Sequence, residues 1–321
     1  MRIVDVCAFY SPSGGGVRTY VDAKLRSASR LGHEIVVLVP SDKAGVTEIA
    51  PGALIAGIPA RPMPFDRRYR YFHDSARLHE ELNRWRPDHV ECSSPWSSAS
   101  AVARWPGSAT RALFMHSDPM AAYAYRWFGF LNPALVDGLF SRFWDHMRFL
   151  GRSFDAVVSP SRQLTQRLRQ RGLTNVATVP LGVERKFSAV RRDPKLREKL
   201  LGELGLGIDA TLLLSVGRLA PEKRPELVCK AAVEAARSRD LGLVMVGEGP
   251  LRKRLERLAS QSARIRLLGH VSDRNEVARL IASADALVHG CEAETFCMAA
   301  AEARASNVPV IVPDRGGAAD H

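Results

Sequence analysis

The sequence of 321 residues contains only five cysteines and no C-x-x-C pair. In a chain of this length, that scarcity argues against a disulfide framework and against a zinc knuckle. The chain also lacks any apolar run near the roughly 18 residues that a membrane-spanning helix requires. Its first ten residues hold a single arginine and are interrupted by Asp5, so they indicate a β-strand rather than a secretory signal. These absences favour a reduced, cytoplasmic protein.

Lysine is scarce as well, with eight among the 46 basic residues, and 34 acidic residues leave a net charge of +12. Such a preference for arginine is typical of GC-rich coding, which is the simplest interpretation of the charge. The alternative is an anionic partner: nucleic acid, a phosphorylated metabolite or the anionic surface of a membrane. No nucleic-acid-binding module is recognisable in the sequence, so we expect no nucleic-acid partner.

Apolar runs of strand length alternate with amphipathic helical stretches along the whole chain. The expected strands cover residues 2–8, 34–39, 89–91, 112–115, 156–158, 176–179, 212–216, 243–246, 265–267, 286–288 and 309–312. The expected helices cover 18–31, 74–86, 162–171, 224–238, 250–260 and 298–305. Strands that alternate with helices predict β-α-β units and parallel sheets, and nearly all-apolar strands predict sheets covered on both faces.

A change of character separates the two halves near residues 182–185. After VATVPLGVERKF the sequence becomes charged and loses its strand rhythm through RRDPKLREKLLGELGLG, and it resumes with TLLLSVGRL. We therefore predict two tandem Rossmann-like α/β domains that face a cleft, with residues 1–183 as the first and 184–321 as the second.

A glycine-rich turn, SPSGGGVRTYV, places Gly14, Gly15 and Gly16 between the first strand and the first helix. A backbone without side chains can come close to a ligand there, and the following helix N-terminus favours anions. A plain strand-to-helix turn would explain the same glycines. The pattern is not G-x-G-x-x-G and no acidic residue closes the second strand, which disfavours a nicotinamide dinucleotide.

The segment SVGRLAPEKRPELV occupies the corresponding place in the second half. Gly217 ends the expected strand, and Arg218 and Lys223 follow before the next helix. Two cations at the carboxyl end of a parallel strand, beside a helix N-terminus, suit a diphosphate. Two solvated loop cations are the alternative for this motif taken alone.

The segment CEAETFCMAAAEARASNVPVIVPDRGG carries two carboxylates eight residues apart, Glu294 and Glu302, around an alanine-rich helix. Two carboxylates can act as general acid and base, but beside a phosphate site they are better suited to bind sugar hydroxyls. The backbone N–H groups of Phe296, Cys297 and Met298 are further expected donors at the N-terminus of that helix.

Among nine histidines, His116 has the most informative position, because it follows an apolar strand directly, at the end where ligands gather. A structural histidine is the alternative at this position.

Basic and aromatic residues are interleaved in the first half. RPMPFDRRYRYF sets Arg61, Arg67, Arg68 and Arg70 among aromatics, and AYAYRWFGFL adds a second aromatic stretch. Such faces suit an anionic membrane interface and a lipid acceptor. An ordinary solvated face with core aromatics is the alternative.

In this order, the motifs resemble the family-4 retaining glycosyltransferases of the GT-B fold, and the resemblance covers nearly the whole chain. It rests on SGGGV, HSD, VVSPSRQLTQRLRQRG, VPLGVERKF, VGRLAPEKRP, VGEGPLRKRLE, LGHVSDRNEV and the E-x7-E pair. It implies transfer of a sugar from a UDP- or GDP-linked donor to a glycan or lipid-linked acceptor, with the α configuration retained. It implies neither a metal nor another cofactor, and a cytoplasmic enzyme in peripheral contact with the inner face of an anionic membrane.

The resemblance also implies which residues bind the phosphates. Arg218 and Lys223 would neutralise the donor diphosphate beside Gly217, and Gly15 and Gly16 would approach the distal phosphate. Fixed cations aimed at a leaving group stabilise the transition state more than the ground state, and here they would replace Mg²⁺.

The remaining roles concern the sugar and the base. By the resemblance, Glu302 would bind the ribose hydroxyls and Glu294 those of the transferred sugar. The loop with His270 and Val271 would pack on the nucleobase, and His116 would lie near the anomeric carbon.

The chain departs from the family pattern at several places. Cys297 stands where the family usually has glycine after the phenylalanine of E-x-F-G. Asn307 replaces the glycine of a turn before a proline, where asparagine tolerates the left-handed conformation, and Asp320 replaces a glutamate after the G-G pair. Family members usually continue beyond a point such as His321, so we expect a truncated second domain that lacks its usual C-terminal helices.

Other functions fit parts of the sequence. A sugar-nucleotide epimerase or a glycan phosphorylase would share the fold but lacks the G-R-x-x-x-E-K pattern present here. A catalytically impaired nucleotide-sugar-binding fragment is an alternative that follows from the early end of the second domain.

Overall fold

The structure is a computed structural model that describes residues 1–10, 16–63 and 70–321. The chain divides into two compact units, Met1–Pro180 and Leu181–His321, and the division falls close to the predicted boundary. Each unit is built on one large sheet with helices, which confirms the expected α/β class.

Ten strands and seven α-helices are described in the first unit. The strands are β1 (Arg2–Val6), β2 (Glu34–Ser41), β3 (Gly45–Ala50), β4 (Ala53–Pro59), β5 (Arg61–Pro62), β6 (Arg70–Tyr71), β7 (His89–Cys92), β8 (Thr110–Phe114), β9 (Ala156–Ser159) and β10 (Val176–Thr178). The helices are α1 (Gly16–Arg30), α2 (Ser75–Trp85), α3 (Ser97–Arg104), α4 (Tyr125–Trp127), α5 (Pro133–Leu139), α6 (Ser141–Ser153) and α7 (Arg162–Gln170), with a π-helical turn at Met120–Ala124.

Eight of these strands form one sheet in the order β10-β9-β8-β7-β1-β2-β4-β3. All neighbours in it are parallel except β3, which runs antiparallel to β4. The apolar runs of the sequence do not reveal β3, because that strand is exposed along nearly its whole length and carries no buried face. β5 and β6 form a separate antiparallel pair.

The second unit contains a five-stranded, fully parallel sheet in the order β13-β12-β11-β14-β15. Its strands are β11 (Thr211–Val216), β12 (Leu241–Val246), β13 (Ile265–Gly269), β14 (Ala286–Val288) and β15 (Val310–Ile311). Its helices are α8 (Pro194–Glu203), α9 (Pro225–Ala235), α10 (Arg252–Ala259), α11 (Arg274–Ser283) and α12 (Met298–Ala305), with 3-10 turns at Ala189–Arg191, Pro221–Lys223 and Gly317–Asp320.

Each sheet is covered by an apolar core on both faces, as the near-continuous apolar strands predict. Along β2, Val36 and Leu38 pack into one cluster of buried side chains, whereas Ile35 and Val37 pack into another. The same alternation along β12 separates the two main clusters of the second unit. Since side chains alternate along a strand, the two clusters lie on opposite faces of each sheet.

Two helices of the second unit, α8 and α11, are not among the expected helices, and neither are α3, α4, α5 and α6 of the first unit. α8 occupies the charged segment between the halves, and the Asp193 carboxylate accepts hydrogen bonds from the backbone N–H groups of Lys195 and Leu196 at its start. α11 begins in the same way after Asp273. Among the described residues, every helix is too short or too polar to cross a lipid bilayer.

A buried charge cluster fixes α1 to the sheet of the first unit. Lys24 Nζ lies 2.9 Å from Asp5 Oδ2 and 2.6 Å from Glu91 Oε1, and the Ser93 hydroxyl donates to Asp5 Oδ1 at 2.9 Å. Burial alone would lower the pKa of Lys24, but the two carboxylates more than offset it and raise that pKa. Lys24 is therefore charged, and it connects α1 with β1 and β7.

Replacing Lys24 with Met should destabilise the first unit by about 3–5 kcal/mol, because two buried carboxylates lose their counter-charge. All five tryptophans lie in this unit, so their fluorescence during urea unfolding measures its free energy of unfolding. The control is Lys43→Met, at an exposed lysine of the same unit, which should change that free energy by less than about 0.5 kcal/mol. Equal effects of the two substitutions would contradict the role of the cluster.

Candidate functional site

Three loops of the second unit leave the sheet at the same edge, because parallel strands have their carboxyl ends on one side. Gly217 and Arg218 follow β11, and His289 begins the loop after β14. His270 and Val271 follow β13, the former exposed and the latter half-buried. This edge therefore gathers the predicted donor-binding segments of the second unit.

Lys223 and Glu294 form an ion pair at this edge, with Nζ 2.5 Å from Oε1. Burial lowers the pKa of Lys223, but Glu294 more than offsets this and raises it overall. Burial likewise raises the pKa of Glu294, yet Lys223 and His289 lower it further, to about 2. Both groups are charged at neutral pH, so the pair brings the G-R-x-x-x-E-K segment and the E-x7-E segment together.

His289 is a further member of this site, and no motif of the sequence singles it out. Its side chain is 7% exposed, and Nε2 lies 3.0 Å from Glu294 Oε1. Possible ligand atoms of His289, Glu294 and Cys297 lie within 4.8 Å of one another. The Lys223 ammonium already lies on Glu294, and burial raises the pKa of the Cys297 thiol and keeps it protonated, so the arrangement is a poor one for a cation.

A pair of glycines supports the loop that carries Glu294. Gly316 has a φ of +71°, and a Cβ there would lie 2.3 Å from the carbonyl oxygen of Glu292. The backbone N–H of Gly317 donates to the carbonyl of Glu294 at 2.6 Å. A side chain at either glycine would overlap the backbone of this loop, so the G-G pair fixes the backbone position of Glu294.

Cys297 adopts a left-handed conformation, with φ 68°, immediately before α12 begins at Met298. Both Cys297 and the preceding Phe296 are buried, while Met298 is half-buried. A non-glycine residue in this conformation costs about 1–2 kcal/mol, which gives a physical reason for the glycine that the family usually has here.

Glu302 lies one turn into α12 and is buried, at 3% exposure. Burial raises its pKa, and Arg274, whose Nη2 lies 2.5 Å from Oε1, opposes that shift. The same guanidinium contacts Glu184 at 3.1 Å and lies 4.6 Å from the ring centre of Phe187. Arg274 is thus a site residue that sequence reasoning missed, although it stands within the segment LGHVSDRNEV.

Arg218 is more exposed than Lys223, the other cation that the sequence predicts to bind phosphate. Its guanidinium forms an ion pair with Glu222, four residues along the same loop. The structure therefore brings Lys223, Glu294 and Cys297 together. Arg218 and Glu302 each have a different partner, Glu222 and Arg274 respectively.

In the first unit, His116 follows β8 and packs between two aromatic rings. Its ring centre lies 4.5 Å from that of Phe114 and 4.8 Å from that of Tyr20. Burial lowers the pKa of His116 to about 4, so the imidazole is neutral at physiological pH. Gly16 is the first residue of α1, whereas Gly15 lies outside the described residues.

Two domains with a mainly parallel sheet each are the architecture of the GT-B fold. Solved structures share this fold. Sucrose-phosphate synthase from Thermosynechococcus elongatus matches 99% of this chain and 82% of its own, with a TM-score of 0.71 and 18% identity. The Anabaena protein HepE, solved with UDP and glucose, matches 100% and 82%, with a TM-score of 0.68 and 15% identity.

The sequence matches two families, Glycosyltransferase Family 4 over residues 14–187 and Glycosyl transferases group 1 over residues 197–321. The chain belongs to Glycosyltransferase Family 4, and it is a nucleotide-sugar-dependent glycosyltransferase. It is 32% identical to the GDP-mannose-dependent alpha-(1-6)-phosphatidylinositol dimannoside mannosyltransferase of Mycobacterium tuberculosis, over 97% of this chain and 79% of the relative. A GDP-mannose-dependent alpha-mannosyltransferase of Mycolicibacterium smegmatis is 30% identical over 100% and 81%.

Cys297→Val should destabilise the second unit by about 2 kcal/mol or more, because a β-branched side chain is strained at a positive φ. Cys297→Gly should stay within about 1 kcal/mol of the parent, since relief of backbone strain offsets the lost side chain. Thermal unfolding followed by circular dichroism measures both. Cys291→Val is the control, at a cysteine that is equally buried but has no positive φ. Equal losses at the two positions would contradict a strain at Cys297.

Proposed function

We propose that this chain is a retaining, metal-independent mannosyltransferase that transfers mannose from GDP-mannose to a lipid-linked acceptor. The observation that carries the proposal is the Lys223–Glu294 ion pair, in which an ammonium suited to phosphate lies beside a carboxylate suited to sugar hydroxyls. The expected roles of these residues remain part of this proposal.

The cations of the second unit supply the chemistry of the leaving group. Cleavage of the bond between mannose and GDP builds negative charge on the diphosphate and positive charge on the sugar. Arg218 and Lys223, beside the backbone at Gly217, neutralise that negative charge, and the backbone at Phe296, Cys297 and Met298 adds N–H donors. Cations held by the protein in this way would remove the need for Mg²⁺.

The carboxylates orient the donor. Glu302 accepts hydrogen bonds from the ribose hydroxyls and Glu294 from the mannose hydroxyls, since an ionised carboxylate has lone pairs for two donors. His270 and Val271 pack on the base, and neutral His116 lies near the anomeric carbon. A neutral imidazole can exchange hydrogen bonds with a sugar hydroxyl without opposing the positive charge that develops on the sugar.

The choice of GDP-mannose is supported by the relatives. Both relatives named above are GDP-mannose-dependent and transfer mannose in an alpha linkage. An alpha linkage in the product corresponds to the configuration of an alpha-linked donor, which supports retention. One of the structural neighbours was solved with UDP, so UDP-linked sugars are the competing class of donor.

A lipid-linked acceptor is supported by an apolar segment of the first unit, residues 123–139, in which Tyr123, Trp127, Phe130, Leu135 and Leu139 are exposed. These side chains are 53–81% exposed, which is unusual for large apolar residues in sequence proximity. Arg126 within this segment and Arg142 just after it are also exposed, so apolar anchors and cations occur together in this part of the chain. That combination suits the interface of an anionic membrane.

The four arginines that the sequence sets among aromatics at residues 61–70 give less support to a membrane contact. Arg61 is exposed on β5, and Arg70 donates to the carbonyl of Ala60 at 2.7 Å. Arg67 and Arg68 lie outside the described residues. The proposed membrane contact therefore rests on the apolar segment 123–139, and a peripheral location at the inner leaflet is part of the proposal.

The purified protein should transfer labelled mannose from GDP-mannose to phosphatidylinositol mannosides in anionic vesicles, and it should release GDP. EDTA should leave the rate unchanged, and α-mannosidase should remove the added sugar. UDP-glucose, UDP-galactose and ADP-glucose serve as donor controls. Transfer from UDP-sugars alone, a β-linked product, or loss of activity in EDTA would each refute its part of the proposal.

Arg218→Ala and Lys223→Ala should each lower kcat by about 10²–10³, the usual loss when one stabiliser of developing charge is removed. Binding of guanosine, which has no phosphate, should stay at the parent level in isothermal titration. Lys230→Ala, at an exposed lysine of α9, is the matched control and should retain parent turnover. Near-parent kcat in both variants would remove the two residues from the site.

A further inference from the structure

His289 is a buried histidine beside the Lys223–Glu294 pair, and the functions described so far give it no role. It follows β14 directly, and its backbone N–H donates to the carbonyl of Ile311 at 2.9 Å. Its backbone is therefore fixed as a continuation of the parallel sheet. From this fixed position the imidazole Nε2 reaches within 3.0 Å of Glu294 Oε1.

The contact between His289 and Glu294 has a hydrogen-bond distance, but the ring is not aligned for a straight bond. Lys223 Nζ lies on the same carboxylate oxygen at 2.5 Å. A carboxylate only accepts hydrogen bonds, so a favourable contact requires a proton on Nε2. Hydrogen bonds in unliganded active sites are often poorly aligned and tighten when the substrate binds.

A donor diphosphate at this edge would compete with Glu294 for the Lys223 ammonium. The carboxylate would then need another donor, because a buried ionised group without a partner is costly. The loop backbone at Glu294 is held by Gly317, which leaves the side chain as the part that can move. Among the described residues, His289 is the second group placed on that oxygen.

We propose that His289 is a positioning residue whose Nε2–H holds the Glu294 carboxylate toward the donor sugar while the diphosphate occupies Lys223. The inference rests on the proposed function, because that function assigns the sugar hydroxyls to Glu294. His289 itself contacts neither the sugar nor the phosphates.

The test compares His289→Met with His289→Gln, two substitutions of similar length of which only Gln keeps an N–H donor near the Nε2 position. His289→Met should lower kcat/KM for the nucleotide sugar by about ten- to a hundred-fold, the usual cost of losing a hydrogen bond to a charged group. His289→Gln should recover most of that loss. The Kd for free GDP should be unchanged in both variants, because GDP carries no sugar for Glu294.

The outcomes separate this inference from the proposed function. If the parent protein binds no nucleotide sugar, the proposed function fails. If the parent is active and His289→Met matches it, or Gln and Met lose activity equally, the positioning role fails and the function stands. Equal weakening of GDP and of the nucleotide sugar would indicate a general structural role and would also overturn the inference.

A measurement on the parent protein does not depend on His289→Met and remains decisive if that variant does not fold. The imidazole ¹⁵N spectrum of histidine-labelled protein should show a proton on Nε2 of His289, assigned by its loss in His289→Gln. An unprotonated Nε2 would overturn the proposal. So would stoichiometric zinc binding by the parent that His289→Gln abolishes, because the cluster with Cys297 would then be a metal site.

Discussion

The Lys223–Glu294 ion pair is the interaction on which the site of the second unit depends. Lys223 lies in the turn between β11 and α9, and Glu294 lies in the loop between β14 and α12, so the pair connects segments 71 residues apart in sequence. Its strength comes from burial, which weakens screening by water and makes each charge depend on the other. Because removal of either partner would leave a buried charge, the pair constrains both loops at once.

Backbone geometry supplies the second constraint, and it acts on the same loop. Gly316 and Gly317 pack against the Glu294 loop where a Cβ would overlap its backbone, and Cys297 turns the chain into α12 through a left-handed conformation. Such a conformation persists only where the surroundings determine it. The carboxylate position is thus set by backbone contacts first, and the side chains of Lys223 and His289 refine it.

The sequence predicted the parts of the structure that depend on local pattern. The apolar runs located the strands of both parallel sheets except β4, whose run Ala53–Pro59 is absent from the expected strands, and position at a strand end indicated Arg218, Lys223 and Glu294. Most of the other features that it missed depend on contacts between distant segments. Arg274 reaches Glu302 across 28 residues, and Lys24 lies between carboxylates of two different strands, so no periodicity could reveal either. β3 was missed for the opposite reason, since an exposed edge strand buries no face that would impose a pattern.

Both proposed phosphate cations already hold carboxylate partners, Arg218 with Glu222 and Lys223 with Glu294. The guanidinium of Arg218 has five donors, so it can serve Glu222 and a phosphate at the same time, whereas the smaller ammonium of Lys223 turns from Glu294 toward the phosphate when a donor binds. The carboxylates orient the cations before a donor arrives, and the side-chain order need not be created during binding. Charge that moves onto the leaving diphosphate then meets donors that are already in place. For this reason the ion pairs are compatible with catalysis by fixed cations, although they reduce the positive charge of the unliganded edge.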